Sequence, residues 1–262
     1  MGTILQTIAD YAAVRVAKDR ERVPLEALKE QCRESGRAAG GRFLEALRKP
    51  DVSFICEVKK ASPSKGVIAE AFPYVEIARE YEAAGADCIS CLTEPKWFLG
   101  SDDIFREIRG AVFVPMLRKD FVVDEYQIYQ ARRMGADAVL LICAILDTGT
   151  VARYLGICED LGLSALVEAH DAAEVESAAQ AGAKIIGVNN RNLKDFTVDV
   201  ENSARLRALA PEGAVFVAES GIRTPEDVEA LRREGVDAVL VGETLMRAAD
   251  KAEALRELKG LD

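Results

Sequence analysis

The chain has 262 residues, a length that is usual for a single α/β barrel and that also permits two small domains. Hydrophobic residues make up 49% and charged residues 30% of the chain, which is ordinary for a globular protein. The formal net charge of −10 argues against a general binder of nucleic acids or anionic membranes, although it permits a local basic pocket for a small anion.

The first 50 residues predict a helical extension. Three segments have helical periodicity, and they read ILQTIADYAAVRVAKDRER, PLEALKEQCRE and GRFLEALRK. We expect these helices to cap the bottom of a barrel or to cover its mouth. Because no linker rich in Gly, Pro or Ser follows them, we treat the chain as one domain, with residues 1–50 as the extension and 51–262 as the barrel.

Eight strand-like runs rich in Val, Ile and Leu alternate with helix patterns in the rest of the chain. The predicted strands cover 53–59, 87–93, 112–118, 137–143, 164–169, 184–189, 214–220 and 237–242. Such runs, each followed by a helix, indicate a parallel sheet with both faces covered. No G-x-G-x-x-G motif follows the first run, which counts against a dinucleotide-binding fold.

A recurring phrase indicates how these units repeat. The phrase reads AGAD, MGAD, AGAK and EGVD, and its glycines lie 50, 47 and 53 residues apart. A glycine after a helix supplies the left-handed conformation that ends it before the next strand. The period is too long for one strand–helix unit, so we predict two units per repeat and four repeats. This pattern favours a closed (β/α)₈ TIM barrel.

Six cysteines are scattered through these segments. CISC at 88–91 matches C-x-x-C, but it is isolated, and an offset of three puts its two thiols on opposite faces of a strand. We therefore interpret the cysteines as small buried residues and expect no metal site. Reduced thiols, together with the lack of a signal peptide or a long apolar run, predict a cytoplasmic protein with no membrane partner.

Polar residues collect at the ends of the predicted strands, where the active site of a TIM barrel lies. In chain order they are Glu57, Lys59, Lys119, Glu168, Asn189, Arg191, Glu219 and Ser220. A buried charge costs several kcal/mol unless it is paired, so a purely structural protein has little reason for this clustering. Single members still have plain structural interpretations: Glu57 and Lys59 as a barrel ion pair, and His170 as a structural residue. Lys60 has the opposite parity to Lys59 and is expected to face away from the pocket.

The loops after the strands predict a ligand with a phosphate at one end. Gly221 and Gly242 follow the last two strands, at turns that offer backbone N–H groups before helices. The loop after the first strand adds the hydroxyl of Ser62. Two other loops carry Phe98 and Phe121, which can wall an apolar pocket for a flat ring.

These residues resemble one family, indole-3-glycerol phosphate synthase of tryptophan biosynthesis. The likeness covers nearly the whole chain and is carried by EVKKASPSKG, LTEPKWFLGS, LRKDFVVDEYQIYQARRMGADAVLLI, LVEAHD, IGVNNRNLKDFTVD, AESGIRT and VGETLMR. The family closes the indole ring of 1-(2-carboxyphenylamino)-1-deoxyribulose 5-phosphate with loss of carbon dioxide and water, and it uses no cofactor. The resemblance thus implies a small phosphorylated partner with an anthranilate ring, and it leaves open a transient contact with neighbouring pathway enzymes.

The resemblance also implies roles for individual residues. Lys119 would be the general acid that protonates the carbonyl, and Glu168 would stabilise the cationic ring and assist proton removal. Glu57 and Lys59 would handle the later loss of the hydroxyl. Which lysine acts in which step stays open.

Substrate binding is implied for a further set of residues: Asn189, Arg191, Glu219 and Ser220 for the sugar hydroxyls or the carboxylate; Phe98 and Phe121 for the ring; Ser62, Gly221, Gly242 and the amide of Glu243 for the phosphate. A carboxylate facing phosphate would repel it, so we expect the side chain of Glu243 to turn outward. Two alternatives stay open: a Schiff-base aldolase or other phosphosugar lyase on the same barrel, and a non-catalytic barrel that binds a phosphorylated ligand.

Overall fold

The computed structural model of this chain describes residues 3–36, 40–192 and 195–261. Its helices are α1 (Ile4–Arg22), α2 (Leu25–Glu34), α3 (Arg42–Leu47), α4 (Tyr74–Ala83), α5 (Asp102–Arg109), α6 (Glu125–Arg133), α7 (Thr148–Leu161), α8 (Ala172–Gln180), α9 (Glu201–Arg207), α10 (Pro225–Arg233), α11 (Glu243–Arg247) and α12 (Lys251–Leu258). Its strands are β1 (Ser53–Val58), β2 (Ala61–Ser62), β3 (Gly66–Val67), β4 (Cys88–Leu92), β5 (Met116–Lys119), β6 (Ala138–Ile142), β7 (Ser164–Ala169), β8 (Ile185–Asn189), β9 (Val215–Glu219) and β10 (Ala238–Val241).

Eight of the described strands form a closed parallel barrel. The order around it is β1-β10-β9-β8-β7-β6-β5-β4, and β4 pairs with β1 to close it. Helices alternate with the strands along the chain, so the predicted (β/α)₈ TIM barrel is confirmed. Strands β2 and β3 form a small antiparallel hairpin outside the barrel.

The third predicted strand is the one whose bounds were wrong. The prediction covered 112–118, but β5 begins at Met116 and runs to Lys119, whereas the other seven strands match to within one residue at each end. Phe113 is 85% exposed, and its N–H donates to Oε1 of Glu82. Pro115 has no N–H to give to a neighbouring strand. The β-rich residues before Met116 therefore form a loop.

The residues of the recurring phrase have two structural roles. Its four glycines have φ between +74° and +89°, so each ends a helix in the left-handed conformation, as predicted. The acid of the phrase has a role that the sequence did not reveal. In three of the four repeats, its carboxylate accepts an N–H from the first or second residue of the preceding barrel strand, and these pairs are Asp87 with Phe54, Asp137 with Met116 and Asp237 with Phe216. Each repeat is thus tied to the strand before it.

The core has two layers, as the alternation along each strand requires. Side chains of one parity fill the barrel interior, including Ile55, Leu117 and Leu166. Those of the other parity pack between strands and helices. Cys88 lies in the inner layer and Cys91 in the outer one, which confirms that the two thiols are on opposite faces; all six cysteines are free.

The N-terminal helices cover both ends of the barrel. Helix α3 lies at the bottom, where Phe43 is fully buried in the inner layer and Arg42 pairs with Asp137 just before β6. Helix α1 crosses the mouth, because Arg15 pairs with Asp120 just after β5. Both of the predicted placements therefore occur, while the division of the chain at residue 50 stays a prediction. Across the described ranges, each helix is too short or too polar to span a bilayer.

Candidate active site

A cavity of about 480 Å³ opens at the carboxyl ends of the barrel strands. All of the residues predicted for the site lie along its wall: Glu57, Lys59, Ser62, Phe98, Lys119, Phe121, Glu168, Asn189, Arg191, Glu219, Ser220, Gly221, Gly242 and Glu243. Lys60 does not line the cavity, as its parity predicts. The convergence follows from the parallel sheet, since every strand delivers its last residues to the same end.

Lys119 lies at the centre of the charged cluster. Its Nζ is 3.2 Å from Oε2 of Glu219, 3.6 Å from Oε2 of Glu168 and 3.8 Å from Oε2 of Glu57. Burial disfavours the ammonium, but the three carboxylates outweigh burial and raise the pKa of Lys119 above its ordinary value. Lys119 is therefore a cation with three possible proton partners on three different strands.

Glu57 and Lys59 form a second ion pair beside the first. The period of the strand puts both side chains into the cavity, with Oε1 of Glu57 2.5 Å from Nζ of Lys59. Burial disfavours the carboxylate, but Lys59 and Lys119 outweigh burial and lower the pKa of Glu57. Glu57 lies between the two lysines, so one carboxylate connects both halves of the cluster.

Glu219 differs from the other carboxylates of the cluster. It is 1% exposed, and neither of its oxygens has a well-aligned hydrogen-bond donor among the described residues, although Lys119 lies close by. Burial raises the pKa of Glu219 to about 7; Lys119 opposes this effect, and Glu168 reinforces it. The resemblance implied a sugar-binding residue here, and the structure places this residue inside the Lys–Glu cluster.

Two glycines leave room for these carboxylates. A Cβ at Gly242 would lie 2.5 Å from Oε1 of Glu57 and 3.0 Å from Nζ of Lys59. A Cβ at Gly187 would collide with Oε1 of Glu219. Any larger residue at either position requires a charged side chain of the cluster to shift.

The predicted phosphate end lies where β1, β9 and β10 deliver their loops. Gly221 has φ +86°, and a Cβ there would lie 2.5 Å from Cγ1 of Val198, so glycine is needed for both its conformation and its size. Ser62 follows β1 on the hairpin, and Gly242 precedes α11, whose first N–H groups have no partner within the helix.

Glu243 is held at this end by three cations. Its carboxylate is 3.1 Å from Nε of Arg247, 3.6 Å from a terminal nitrogen of Arg191 and 3.7 Å from Nζ of Lys65. Its side chain is 28% exposed. The sequence led us to expect a Glu243 side chain turned outward and away from the phosphate. In the structure its carboxylate contacts three cations beside the predicted phosphate end.

Two aromatic rings form part of the cavity wall after β4 and β5. The rings of Phe98 and Phe121 have centroids 6.2 Å apart and an interplanar angle of 44°. The loop that carries Phe98 is fixed by Glu94, a fully buried residue whose Oε2 accepts the N–H groups of Trp97 and Phe98 at 2.7 and 3.0 Å. Trp97 itself turns to α1, where its ring meets Tyr11 edge-on at 5.5 Å.

Several cavity residues were missed by the sequence reasoning: Ile4, Leu5, Ile8, Phe196, Thr244 and Arg247. The first three lie on α1, and their apolar spacing was visible as one face of a helix. That face does not say which end of the barrel the helix covers. The missing information is the ion pair of Arg15 with Asp120, which joins residues 105 positions apart.

The chain is similar to known proteins over nearly its whole length. The family model for indole-3-glycerol phosphate synthase matches residues 5–258. An indole-3-glycerol phosphate synthase of Ruminiclostridium cellulolyticum is 53% identical over 257 residues, which cover 98% of this chain and 99% of that protein. Another, of Acetivibrio thermocellus, is 43% identical over 259 residues and covers 98% and 100%.

A solved structure supports the fold alone. The thiamine phosphate pyrophosphorylase from Pyrococcus furiosus matches with a TM-score of 0.59 at 19% identity, over 80% of this chain and 94% of that one. At this identity the likeness says nothing about the reaction.

Proposed function

Because this chain belongs to the indole-3-glycerol phosphate synthase family, we propose that its Lys–Glu cluster carries the ring closure that defines these lyases of tryptophan biosynthesis. The substrate, 1-(2-carboxyphenylamino)-1-deoxyribulose 5-phosphate, loses carbon dioxide and water to give indole-3-glycerol phosphate. The contacts of Lys119 with carboxylates from three strands are the observation that carries the proposal. The cluster lies in one cavity with an aromatic wall and a glycine-rich end, which suit a ring and a phosphate.

The first step is the closure of the new ring. The ring carbon that bears the carboxylate forms a bond to the sugar carbonyl carbon, and Lys119 gives a proton to the carbonyl oxygen. The raised pKa of Lys119 keeps the proton in place until the oxygen becomes basic enough to take it. Positive charge develops on the ring at the same time, and Glu168, 3.6 Å from Lys119, is placed to stabilise it.

Two losses complete the reaction. The bond from the ring to the carboxylate breaks, carbon dioxide leaves, and the electron pair restores the aromatic ring. The new hydroxyl then takes a proton and leaves as water, and a neighbouring proton is removed as the indole double bond forms. Glu57 and Lys59, in contact at 2.5 Å, supply an acid and a base for this step. Glu57 also contacts Lys119 at 3.8 Å, so a proton can pass between the two sets without release of the intermediate.

The ends of the cavity orient the substrate. We assign Phe98 and Phe121 to the anthranilate ring and Ser62, Gly221, Gly242 and the amide of Glu243 to the phosphate. Asn189, Arg191, Glu219 and Ser220 line the same cavity and are assigned to the sugar hydroxyls and the carboxylate. Fixing both ends holds the carbonyl against Lys119, which is how positioning lowers the barrier.

The open alternatives are not favoured. A Schiff-base aldolase needs a neutral lysine as nucleophile, whereas the carboxylates around Lys119 raise its pKa and keep it protonated. A cytoplasmic location and a small-molecule partner agree with the free thiols and the net charge of −10.

The test is the appearance of indole fluorescence when the carboxyphenylamino substrate is added. We expect turnover by the wild-type protein and a loss of several orders of magnitude in Lys119→Ala. If well-folded protein gives no indole fluorescence with this substrate, the proposal is refuted. Borohydride separates the rival mechanism: a substrate adduct trapped on a lysine supports the aldolase, and turnover that survives borohydride without an adduct supports acid–base catalysis.

A further inference from the structure

His170 is held rigidly beside the catalytic cluster. It follows β7 and precedes α8, and its side chain is only 16% exposed. Its backbone N–H and its ring Nδ1 both contact Oε2 of Glu174, at 2.8 and 3.0 Å. Its carbonyl accepts a hydrogen bond from Nδ2 of Asn202 at 3.1 Å. Three contacts thus fix both the backbone and the ring plane of this residue.

The remaining ring nitrogen is directed at Glu168. Nε2 of His170 is buried, lacks a hydrogen bond of good geometry among the described residues, and lies 3.4 Å from Oε1 of Glu168. The other oxygen of Glu168 is the one that contacts Lys119, at 3.6 Å. Each oxygen of this carboxylate therefore has its own basic neighbour.

The geometry favours a doubly protonated ring. Both ring nitrogens face carboxylate oxygens, and either neutral tautomer would turn a lone pair toward one of them. Only the imidazolium presents an N–H to both Glu174 and Glu168. The same groups act on its acidity: burial lowers the pKa of His170, but Glu174 and Glu168 outweigh burial and raise it above the ordinary value.

Other charged groups surround this position. Asp171 lies at the start of α8, and Glu219 of β9 acts on the ring from the cluster. A side cavity of about 580 Å³ is lined by His170 and Glu174 and also by Arg191 and Asp199 from the segment after β8. Among these groups Arg191 is the cation, so acids predominate on the side of the imidazole.

We propose that His170 is a positioning residue, whose protonated ring is fixed by Glu174 and Asn202 and holds Oε1 of Glu168 so that Oε2 meets Lys119. This rests on the proposed function, in which Glu168 stabilises the charge on the closing ring. Without the imidazolium, Glu168 is free to rotate away from the substrate ring whose positive charge it stabilises. The sequence could not predict this role, because it does not show that Glu174 contacts both the backbone N–H and the ring Nδ1 of His170.

The ion pair is tested by NMR without any substrate. The chain contains a single histidine, so the imidazole signals of tag-free protein need no assignment. We expect a titration midpoint above the ordinary value of 6.5, with both ring nitrogens carrying protons below that midpoint. Glu174→Gln and Glu168→Gln are each expected to lower that midpoint. A midpoint at or below 6.5, unmoved by either substitution, would overturn the ion pair.

The role in turnover is tested by two replacements at the same position. His170→Leu removes both N–H groups and is expected to lower kcat on the order of 10-fold to 100-fold, with KM little changed. His170→Gln keeps a donor and is expected to recover most of the loss. As pH rises through the titration of His170, kcat of the wild type should fall, and His170→Gln should lack that decline.

A purely structural role gives a different set of results. Wild-type kcat and an unchanged pH profile in folded His170→Leu would refute the proposal. If that variant does not fold, Glu174→Gln replaces it, and the proposal then fails if kcat and the alkaline limb match those of the wild type. A failure of the proposed function itself is distinct, because then the wild type shows no turnover while the NMR experiment still decides the ion pair.

Discussion

The buried carboxyl group of Glu219 makes stability depend on pH in a way that can be measured. Its pKa is raised from 4.5 to about 7 by burial. In the unfolded chain the group loses its proton at the lower value, and in the folded protein it keeps the proton until the higher one. The perturbation that isolates this effect is Glu219→Gln, which keeps the shape of the side chain and removes the titration.

The sign and the magnitude follow from this difference. Between the two pH values the folded state binds more protons than the unfolded state, so the free energy of unfolding falls as pH rises. A proton that leaves the unfolded chain near 4.5 and the folded protein near 7 accounts for about 3 kcal/mol. This contribution is fully present below pH 4.5 and is lost by the time the pH has passed through 7.

The assay is denaturant unfolding of both proteins from about pH 4.5 to about pH 8. The quantity of interest is the wild-type free energy of unfolding minus that of Glu219→Gln, which should fall by about 3 kcal/mol over this range. Glu212→Gln, a replacement of an exposed glutamate, controls for the loss of one carboxyl group. A difference that is flat or that rises with pH would refute the claim that Glu219 holds a proton near neutrality.

Three further predictions concern turnover. Lys59→Ala should lower kcat on the order of 100-fold or more, while Lys60→Ala changes it little; similar losses in fluorescence-based rates would contradict the parity argument. Gly242→Ala puts a Cβ 2.5 Å from Oε1 of Glu57, so kcat should drop while thermal melting shows a folded protein. Full activity in this variant would contradict the need for space beside Glu57. Glu243→Gln frees three cations at the phosphate end, so inorganic phosphate should inhibit roughly threefold to tenfold more strongly; unchanged inhibition would rule this out.

Local chemistry explains why much of the site was predictable. The period of a strand is a property of the chain itself, so the parity of Glu57, Lys59 and Lys60 followed from three neighbouring positions. Parallel strands end at one edge, so residues at strand ends far apart in sequence were expected to meet. The cavity contains every residue predicted for it. Their individual roles stay proposals.

The third strand shows the limit of such patterns. The run 112–118 has the composition of a strand, but Pro115 has no N–H to donate to a neighbouring strand, and Phe113 is exposed. Composition shows which side chains suit a sheet, but it does not show whether the backbone groups form hydrogen bonds with a neighbouring strand.

Sequence alone determined the barrel, the recurring helix ends and the identity of the charged residues at its mouth, because these depend on period, glycine conformation and short-range order. Tertiary structure alone decided the distances: that Glu219 joins the cluster at 3.2 Å from Lys119, that α1 rather than α3 covers the mouth, and that Nε2 of His170 lies 3.4 Å from Oε1 of Glu168. Such contacts join separate strands and helices, and their electrostatic energy depends on ångström separations and burial that no local pattern carries.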